Sequence, residues 1–470
     1  MTVDSKVKRA KMSESIKRNK GISHATAKEI AKSMNYIIDV EDYDMPHTVF
    51  QTTDEIVVME AVQSLIKDHV DYTDDTAPDY KMFNDPEFKP NDSAIYSQSD
   101  LSQSEKKEFI DDYLHRIQWL RPKQISEEVE FDSLPESKVP DLRIVQGRLK
   151  NNWFLSALSL VRTEDTLFQS MTLDHQFDRF RTYGLYVFKF FKNGSPFYVI
   201  IDDKLPWIEK PNGHIVPYFA RSQNSSLFWV SLIEKAYAKL HKRYWALTNG
   251  TVEDALHDLW GIYPERFPID FTNFTDSNKL YDALKILCLS GALVGSSLIY
   301  DRVEISEAQK QKEINNSITK GIQPGVYYSI LDCREVTLKE TTNKTAKIVR
   351  VQNPWKDAIE WTGDFNDDDP IWSPKMKTYF ESLSSNKTNE RYVHRWFSND
   401  GIFCMKIEDF AEYFNTIYIV RDFPEDFEGV KYSNSWNPSN GHPHKKNTDW
   451  IKNPQYIFKV NDQSAVDFKI

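Results

Sequence analysis

The sequence predicts an α+β fold with two lobes, because helical patterns dominate the first half of the chain and paired strands the second. In the first half, SLFWVSLIEKAYAKL (226–240) repeats apolar residues at helical spacing. In the second half, GVYYSILDCREVTL (325–338) and TAKIVRVQNPW (345–355) have the alternation of neighbouring strands, and GIFCMKIEDFAEYF (401–414) resembles a strand followed by a helix.

Charge divides the N-terminal region into two parts. Residues 1–33 hold nine Lys or Arg against three acids, which is typical of a solvated arm. Residues 39–79 hold twelve acids against Lys67, around one helical pattern. Its apolar stripe is expected at Ile56, Met59 and Ile66, and Gln63 interrupts it. We therefore predict a charged, partly disordered region over residues 1–80.

Two further elements follow along the chain. Residues 183–201 contain two strand-like runs joined by Asn193-Gly194, the strongest short signal for a β-hairpin. Next comes the helix mentioned above, with its core-facing stripe expected at Trp229, Ile233, Tyr237 and Leu240.

Composition restricts the class of protein. The chain has 470 residues, of which 40% are hydrophobic and 27% charged, as in ordinary globular proteins. It contains neither an apolar run of ~20 residues nor a signal peptide, so a cytoplasmic location is expected. The net charge of −11 disfavours nucleic-acid binding and is compatible with a divalent cation. The separated Cys288, Cys333 and Cys404 are expected to be reduced core thiols.

The stretch QGRLKNNWFLSALS (146–159) combines a tight turn with the start of an apolar helix. Enzymes often place a nucleophile at such a helix N-terminus, because the free N–H groups there favour an anion. The position is held by Asn152, whose amide cannot form a nucleophilic anion at physiological pH. Asparagine is a good N-cap residue, so Asn151 and Asn152 are expected to close the helix end.

Six motifs in this order resemble those of the calpain family of calcium-dependent cysteine proteases, over about Met82 to Val460. They are FNDPEFKPNDSAI (83–95), WLRPKQI (119–125), QGRLKNNWFLSAL (146–158), FWVSLIEKAYAKL (228–240), NPWKDAIEWTG (353–363) and WIKNPQY (450–456). The resemblance implies a papain-like core of two subdomains, 81–247 and 248–425, with an active site in the cleft between them.

Four positions would form that active site by resemblance. Gln146 would line the oxyanion hole and Asn353 would orient a catalytic histidine. The nucleophile position is Asn152 and the base position is Val326, so the chain departs from the family at two positions of four. None of the eleven histidines falls between residues 258 and 393. Cys333 lies seven positions beyond Val326, too far along a strand to serve as a substitute.

The resemblance also implies one calcium ion in each subdomain. In the first, Arg143 and Asn224 stand where the family has acids, so no site is expected there. In the second, Glu360, Asp367 and Asp400 match three acidic ligands, and Ile402 replaces a fourth. We expect either a weakened calcium site or a solvated acidic loop.

Residues 426–470 are expected to be a linker and the start of an incomplete C2-like β-sandwich, and no EF-hand pattern occurs. Without a nucleophile and a base, the expected function is that of a pseudoprotease whose cleft binds protein or extended peptide segments. Cytoskeletal proteins or an active calpain are the expected partners. The alternative is the family's own activity, calcium-dependent cysteine endopeptidase.

Overall fold

The computed structural model describes residues 48–70, 80–97, 116–132, 143–270, 276–299, 307–339, 344–355, 360–385, 396–397 and 401–421. All of these residues lie in one compact unit, Pro46–Asp422. The basic arm and the predicted C2-like segment lie outside the described residues. The proposed domain boundaries at 80, 247 and 425 stay predictions.

Helices and strands alternate irregularly along the described chain. The α-helices are α1 Glu55–His69, α2 Asp92–Ile95, α3 Asn152–Arg162, α4 Asp165–Thr172, α5 Asp174–Phe177, α6 Trp229–Leu240, α7 Val252–Trp260, α8 Ser277–Leu289, α9 Glu307–Thr319, α10 Pro374–Ser385 and α11 Ile407–Tyr413. The strands are β1 Val49–Gln51, β2 Gln118–Leu120, β3 Ile144–Val145, β4 Leu185–Lys192, β5 Ser195–Asp202, β6 Leu205–Glu209, β7 Ile215–Pro217, β8 Arg221–Ser222, β9 Glu265–Pro268, β10 Leu293–Ser297, β11 Tyr327–Lys339, β12 Lys344–Gln352, β13 Ile402–Lys406 and β14 Thr416–Val420.

The largest sheet has six antiparallel strands in the order β13-β12-β11-β10-β14-β9. Val294, Ile330, Val351 and Phe403 share one of its faces and form an apolar core with α8 and α11. The predicted β11–β12 pair and the β13-α11 unit are confirmed. Together with the early helices, this sheet confirms the α+β class.

A smaller sheet has the order β1-β5-β4 and contains the predicted hairpin. Lys192 pairs with Ser195, and the two residues between them have positive φ, 51° at Asn193 and 67° at Gly194. Positive φ at both central residues is what a two-residue type I′ turn requires, and Asn-Gly meets it at low steric cost. The hairpin prediction is confirmed.

The predicted helix in the acidic segment forms as α1, but its buried face differs from the predicted one. Val58 and Val62 are fully buried against the smaller sheet, whereas Ile56 is 68% exposed. Gln63, the residue that interrupted the predicted stripe, faces solvent. The predicted stripe was therefore wrong at Ile56, because the apolar run offers more than one helical register and the sheet selects one of them.

Helix α6 is buried on all sides rather than along one stripe. Every residue from Trp229 to Lys239 is buried, including three ionisable ones, Glu234, Lys235 and Lys239. The predicted stripe residues Trp229, Ile233 and Tyr237 are buried, which confirms that they face the core, and residues that are polar in sequence point inward as well. Buried charges require partners, so α6 must lie against other charged or polar groups.

A buried ionic network supplies the partners of the α6 lysines. Lys239 Nζ donates to Asp85 Oδ2 at 2.6 Å, and the Lys235 ammonium pairs with Asp202. Asp202 also accepts the backbone N–H of Asp85, at 2.8 Å. Arg121 pairs with Asp203 in the same region. The FNDPEFKP, WLRPKQI and FWVSLIEKAYAKL motifs thus meet at one place in the core.

The cysteines and the length of the helices were also predicted from the sequence. The three cysteines are free, with Cys333 and Cys404 buried and Cys288 half-buried, as predicted for core thiols. Within the described part of the chain, no helix combines the length and apolar character that crossing a bilayer needs.

Candidate functional site

The turn before helix α3 is fixed by close packing at Gly147. A Cβ at this position would lie 2.1 Å from the carbonyl carbon of Phe219, so only glycine fits without a backbone shift. Strand β3 just before it pairs with β8 through Ile144 and Ser222. Gln146 is exposed and its Nε2 donates to the Leu149 carbonyl at 3.1 Å, within the same turn.

Asn151 is the N-cap residue of α3, yet its side chain does not cap the helix. Its Nδ2 instead donates to Glu234 Oε1 at 2.7 Å, and its buried Oδ1 has no hydrogen-bond partner. The expected capping role of this asparagine was therefore wrong. The reason is a competing acceptor, since α6 presents a buried carboxylate to the N-terminus of α3.

Glu234 carries the most perturbed carboxyl group near the site. Burial raises its pKa to about 7, and the hydrogen bonds from Asn151 and from the Ala220 N–H oppose that rise only in part. A carboxyl group with a pKa near neutrality changes charge within the physiological range. The group lies directly behind the start of helix α3.

Asn152 is the first residue of α3 and is half-buried. Its Nδ2 lies 3.5 Å from the carbonyl oxygen of Gly325, the residue before Val326. Trp153 and the apolar residues that follow it in α3 are buried, as predicted. The predicted nucleophile and base positions therefore lie opposite each other, where α3 approaches the start of β11.

Val326 is 8% exposed and belongs to the apolar core that includes Tyr328 and Ile330. Its methyl groups offer neither a proton nor an acceptor. Asn353 is buried beside this core, with Nδ2 donating to the Tyr328 hydroxyl at 3.2 Å and Oδ1 accepting the Trp355 N–H at 3.0 Å. Both ends of the Asn353 amide are thus engaged within the fold.

A backbone contact joins the Gln146 turn to the Asn353 loop. The Ile144 N–H donates to the Pro354 carbonyl at 3.2 Å, and Ile144 forms a parallel bridge with Trp355. Together with the approach of Asn152 to Gly325, this contact brings all four predicted positions to one place. Their roles, which come from the family resemblance, stay predictions.

Two of the described thiols, those of Cys333 and Cys404, lie in environments that suppress nucleophilicity. A hydrogen bond with Cys288 is the main cause that raises the pKa of Cys333 well above its ordinary value, and burial is the second cause. Burial raises the pKa of Cys404 to about 12. Cys333 lies inside β11, opposite Val349 of β12. Cys404 lies in β13, opposite Arg350 of β12. A thiol acts as a nucleophile through its thiolate, which burial disfavours.

Arg143 and Asn224, which stand where the family has acidic ligands in the first subdomain, also lie close together. The carbonyl oxygen of Arg143 accepts the Gln223 N–H at 3.1 Å, next to Asn224. Asn224 Oδ1 accepts the Ser226 N–H at 3.0 Å within its own turn. A guanidinium and an amide provide less negative charge than the acids that calcium requires.

The second predicted calcium position is described only in part. Glu360 Oε1 accepts the Gly401 N–H at 2.6 Å, and Asp367 is half-buried nearby in sequence. Asp400 lies outside the described residues. Within the ranges that are described, no three His, Cys, Asp or Glu side chains are grouped as metal ligands. The calcium site therefore stays a prediction.

Comparison with known proteins decides the family. The calpain family cysteine protease domain matches residues 83–421. The chain belongs to the calpain family. Its fold is accordingly that of a calpain protease core, and residues 146, 152, 326 and 353 lie within the matched region.

Individual calpains are similar over most of this chain. The chain is 29% identical to the calpain-type cysteine protease DEK1 of Zea mays over 426 residues, 89% of this chain and 17% of that protein. It is 26% identical to the calpain-2 catalytic subunit of Bos taurus over 415 residues, 86% of this chain and 53% of that subunit. The chain therefore spans less than a fifth of the maize protein's length and about half of the bovine calpain's.

Glu234 is a site residue that the motifs do not predict. Its carboxylate accepts hydrogen bonds from the Asn151 amide and from the Ala220 N–H at the base of α3. A sequence signal was present, because Glu234 and Lys235 are adjacent charges inside a run that is apolar on every helical face. Such charges are buried only when they have partners.

Proposed function

We propose that this calpain-family chain is a pseudoprotease that binds extended peptide segments in its cleft without cleaving them. The observation that carries the proposal is the pair of residues at the two reactive positions. Asn152 begins helix α3, and Val326 is packed in the apolar core beside it. Neither side chain can act as a nucleophile or as a proton acceptor for one.

The loss of both groups affects one reaction sequence. Cysteine proteases attack the peptide carbonyl with a thiolate, whose proton a histidine accepts and later gives to the leaving amine. When the nucleophile or base of a hydrolase is removed, the rate falls by several orders of magnitude, because the two act as a unit. The amides of Gln146 and Asn353 cannot supply either function.

Two further features support a binding role. The Gln146 and Asn353 amides make hydrogen bonds within the fold, so they hold the cleft in shape without a catalytic histidine. Gln146 and Gly325 are also exposed residues, so their backbones are accessible from solvent. Extended peptides are recognised through backbone hydrogen bonds and side-chain pockets, which require no nucleophile.

Cleavage of an unfolded protein is the direct test of inactivity. The wild-type chain should leave fluorescently labelled, carboxymethylated casein intact, in calcium and in chelator alike. The double variant Asn152→Cys/Val326→His is the matched comparison, since it restores the two missing groups on the same scaffold. The single variant Asn152→Cys should remain inactive, because its thiol lacks a base.

The opposite result would identify the chain as a calcium-dependent cysteine endopeptidase like other family members. That conclusion would follow if the wild-type chain cleaved the substrate and the change Asn353→Ala abolished the cleavage. Binding is tested separately by fluorescence anisotropy of the labelled substrate. We expect saturable binding that is weakened when a bulky side chain enters the cleft, as in Gln146→Trp. Absence of saturable binding to the wild-type chain contradicts the binding role.

A further inference from the structure

The backbone of Gly401 connects the acidic loop to Asn353. Its N–H donates to Glu360 Oε1 at 2.6 Å, and its carbonyl accepts the Asn353 N–H at 2.8 Å. One residue therefore bonds to a predicted calcium ligand through its N–H and to a predicted active-site residue through its carbonyl. A hydrogen bond to a carboxylate is shorter and stronger than one to a neutral acceptor, and this one is short.

Glycine at position 401 is required by both conformation and space. Its φ is +85°, in the left-handed region, and a Cβ there would lie 3.0 Å from the Asn353 carbonyl oxygen. The close approach of Gly401 to Asn353 is thus built into the backbone. The two backbones are therefore both hydrogen-bonded and closely packed at this place.

The acidic loop around Glu360 is held by hydrogen bonds from the protein itself. Asp369 accepts the Phe365 N–H at 2.6 Å and the Ile371 N–H at 2.9 Å. The Lys406 ammonium pairs with Asp364 across the loop. Two indoles, those of Trp361 and Trp372, donate to loop carbonyls at 2.9 and 2.8 Å. Protein donors therefore already bond several of the loop's acceptors.

We propose that Glu360 is a positioning residue that fixes Asn353, and with it the cleft, by accepting the Gly401 N–H and without a bound metal ion. The role is that of a hydrogen-bond acceptor rather than a calcium ligand. The inference concerns the cleft assigned to peptide binding above and to that extent rests on the proposed function. It assigns to this residue a contact that calcium is not needed to form.

Two substitutions of Glu360 distinguish its role as a hydrogen-bond acceptor from a role as a metal ligand. Glu360→Gln keeps a carbonyl oxygen that can accept the Gly401 N–H but removes the negative charge that calcium needs. Glu360→Ala removes both. Glu381→Ala serves as the matched control, because Glu381 is an exposed acid in α10. All four proteins are measured in chelator and in millimolar calcium.

Hydrogen exchange of the segments containing Asn353 and Gly401, followed by mass spectrometry, is the primary measurement. In chelator, the wild type, Glu360→Gln and the control should show equal protection. Glu360→Ala should exchange in both segments about tenfold faster, because the partly buried hydrogen bond between Glu360 and the Gly401 N–H is lost. The proposal is overturned if Glu360→Gln exchanges as fast as Glu360→Ala, or if protection in the wild type appears only with calcium.

Peptide affinity distinguishes this inference from the proposed function. Casein binding should weaken in Glu360→Ala and persist in Glu360→Gln, both in chelator. If the wild-type chain binds no peptide at all, the binding function fails, while the exchange data still decide the role of Glu360. If binding is normal in all variants but exchange in Glu360→Ala is unchanged, the positioning role is wrong and the binding function stands.

Discussion

The Asn151 amide donates a 2.7 Å hydrogen bond to the Glu234 carboxylate, and both side chains are buried at the base of helix α3. The carboxyl group faces an uncharged partner, so its charge is compensated only by hydrogen bonds. Burial consequently raises the pKa of Glu234 to about 7. Ionisation of this group near neutral pH is therefore coupled to folding.

The change Glu234→Gln should flatten the dependence of stability on pH. The folded pKa of about 7 exceeds the ordinary 4.5. The contribution of the Glu234 carboxyl group to the free energy of unfolding is therefore fully present below pH 4.5. It falls as the pH rises from 4.5 to 7, because the carboxyl group ionises at a lower pH in the unfolded chain than in the folded one. The Gln variant does not lose this contribution. Its free energy of unfolding should therefore exceed that of the wild type by at most about 3 kcal/mol at alkaline pH. Urea denaturation at several pH values measures it, and parallel curves for the two proteins would contradict the assignment.

Removing the partner of Lys239 should destabilise the core strongly. Asp85→Ala leaves a buried ammonium without its carboxylate, which costs roughly 3–5 kcal/mol. Asp85→Ala/Lys239→Met removes both charges and should be less destabilised than the single variant. Chemical denaturation of the two variants provides the comparison. If the double variant is destabilised as much as the single variant or more, the unpaired Lys239 ammonium is not the cause of the destabilisation.

Gly147→Ala should be far more damaging than Gly213→Ala. The first Cβ would meet the Phe219 backbone at 2.1 Å, whereas nothing lies within 4 Å of the second. Gly213 has φ +80°, so its substitution carries only a conformational cost of about 1–2 kcal/mol. Gly147→Ala should lower the melting temperature well below that of Gly213→Ala. Similar melting temperatures would mean that the turn before α3 can move away from Phe219.

Native-state alkylation should distinguish buried thiols from an active-site thiol. Iodoacetamide at mildly alkaline pH should leave Cys333 and Cys404 unmodified, because the hydrogen bond with Cys288 together with burial keeps Cys333 in the thiol form, and burial does so for Cys404. Unfolding in guanidinium should make both react. The variant Asn152→Cys provides the positive control, since residue 152 is half-buried at the cleft. Rapid modification of Cys333 in the folded wild type would contradict its described environment.

Much of the fold was predictable from local patterns. The Asn193-Gly194 turn, the β11–β12 pair and the order of the family motifs each follow from a few adjacent residues. The meeting of residues 146, 152, 326 and 353 was predictable only from the resemblance, because they lie far apart in sequence. The contacts between them, such as Asn152 to Gly325, show that they lie close together, and their roles stay predictions.

The remaining features depend on tertiary partners that no local pattern shows. Asn151 was expected to cap a helix, but the carboxylate of Glu234, 83 residues later, takes its amide. Ile56 was expected in the core, but the smaller sheet packs on Val58 and Val62 instead. In each case local propensity allowed several outcomes, and a distant residue selected among them.

Strand β1 has a consequence for how the folded unit is delimited. Val49–Gln51 cover one side of β5, and Thr48 receives a hydrogen bond from the buried Lys239. The family match begins only at residue 83. A fragment cut to that match would expose the N–H and C=O groups of β5, an edge open to pairing with another molecule. Self-association of such a fragment would then arise from the cut and not from the native surface.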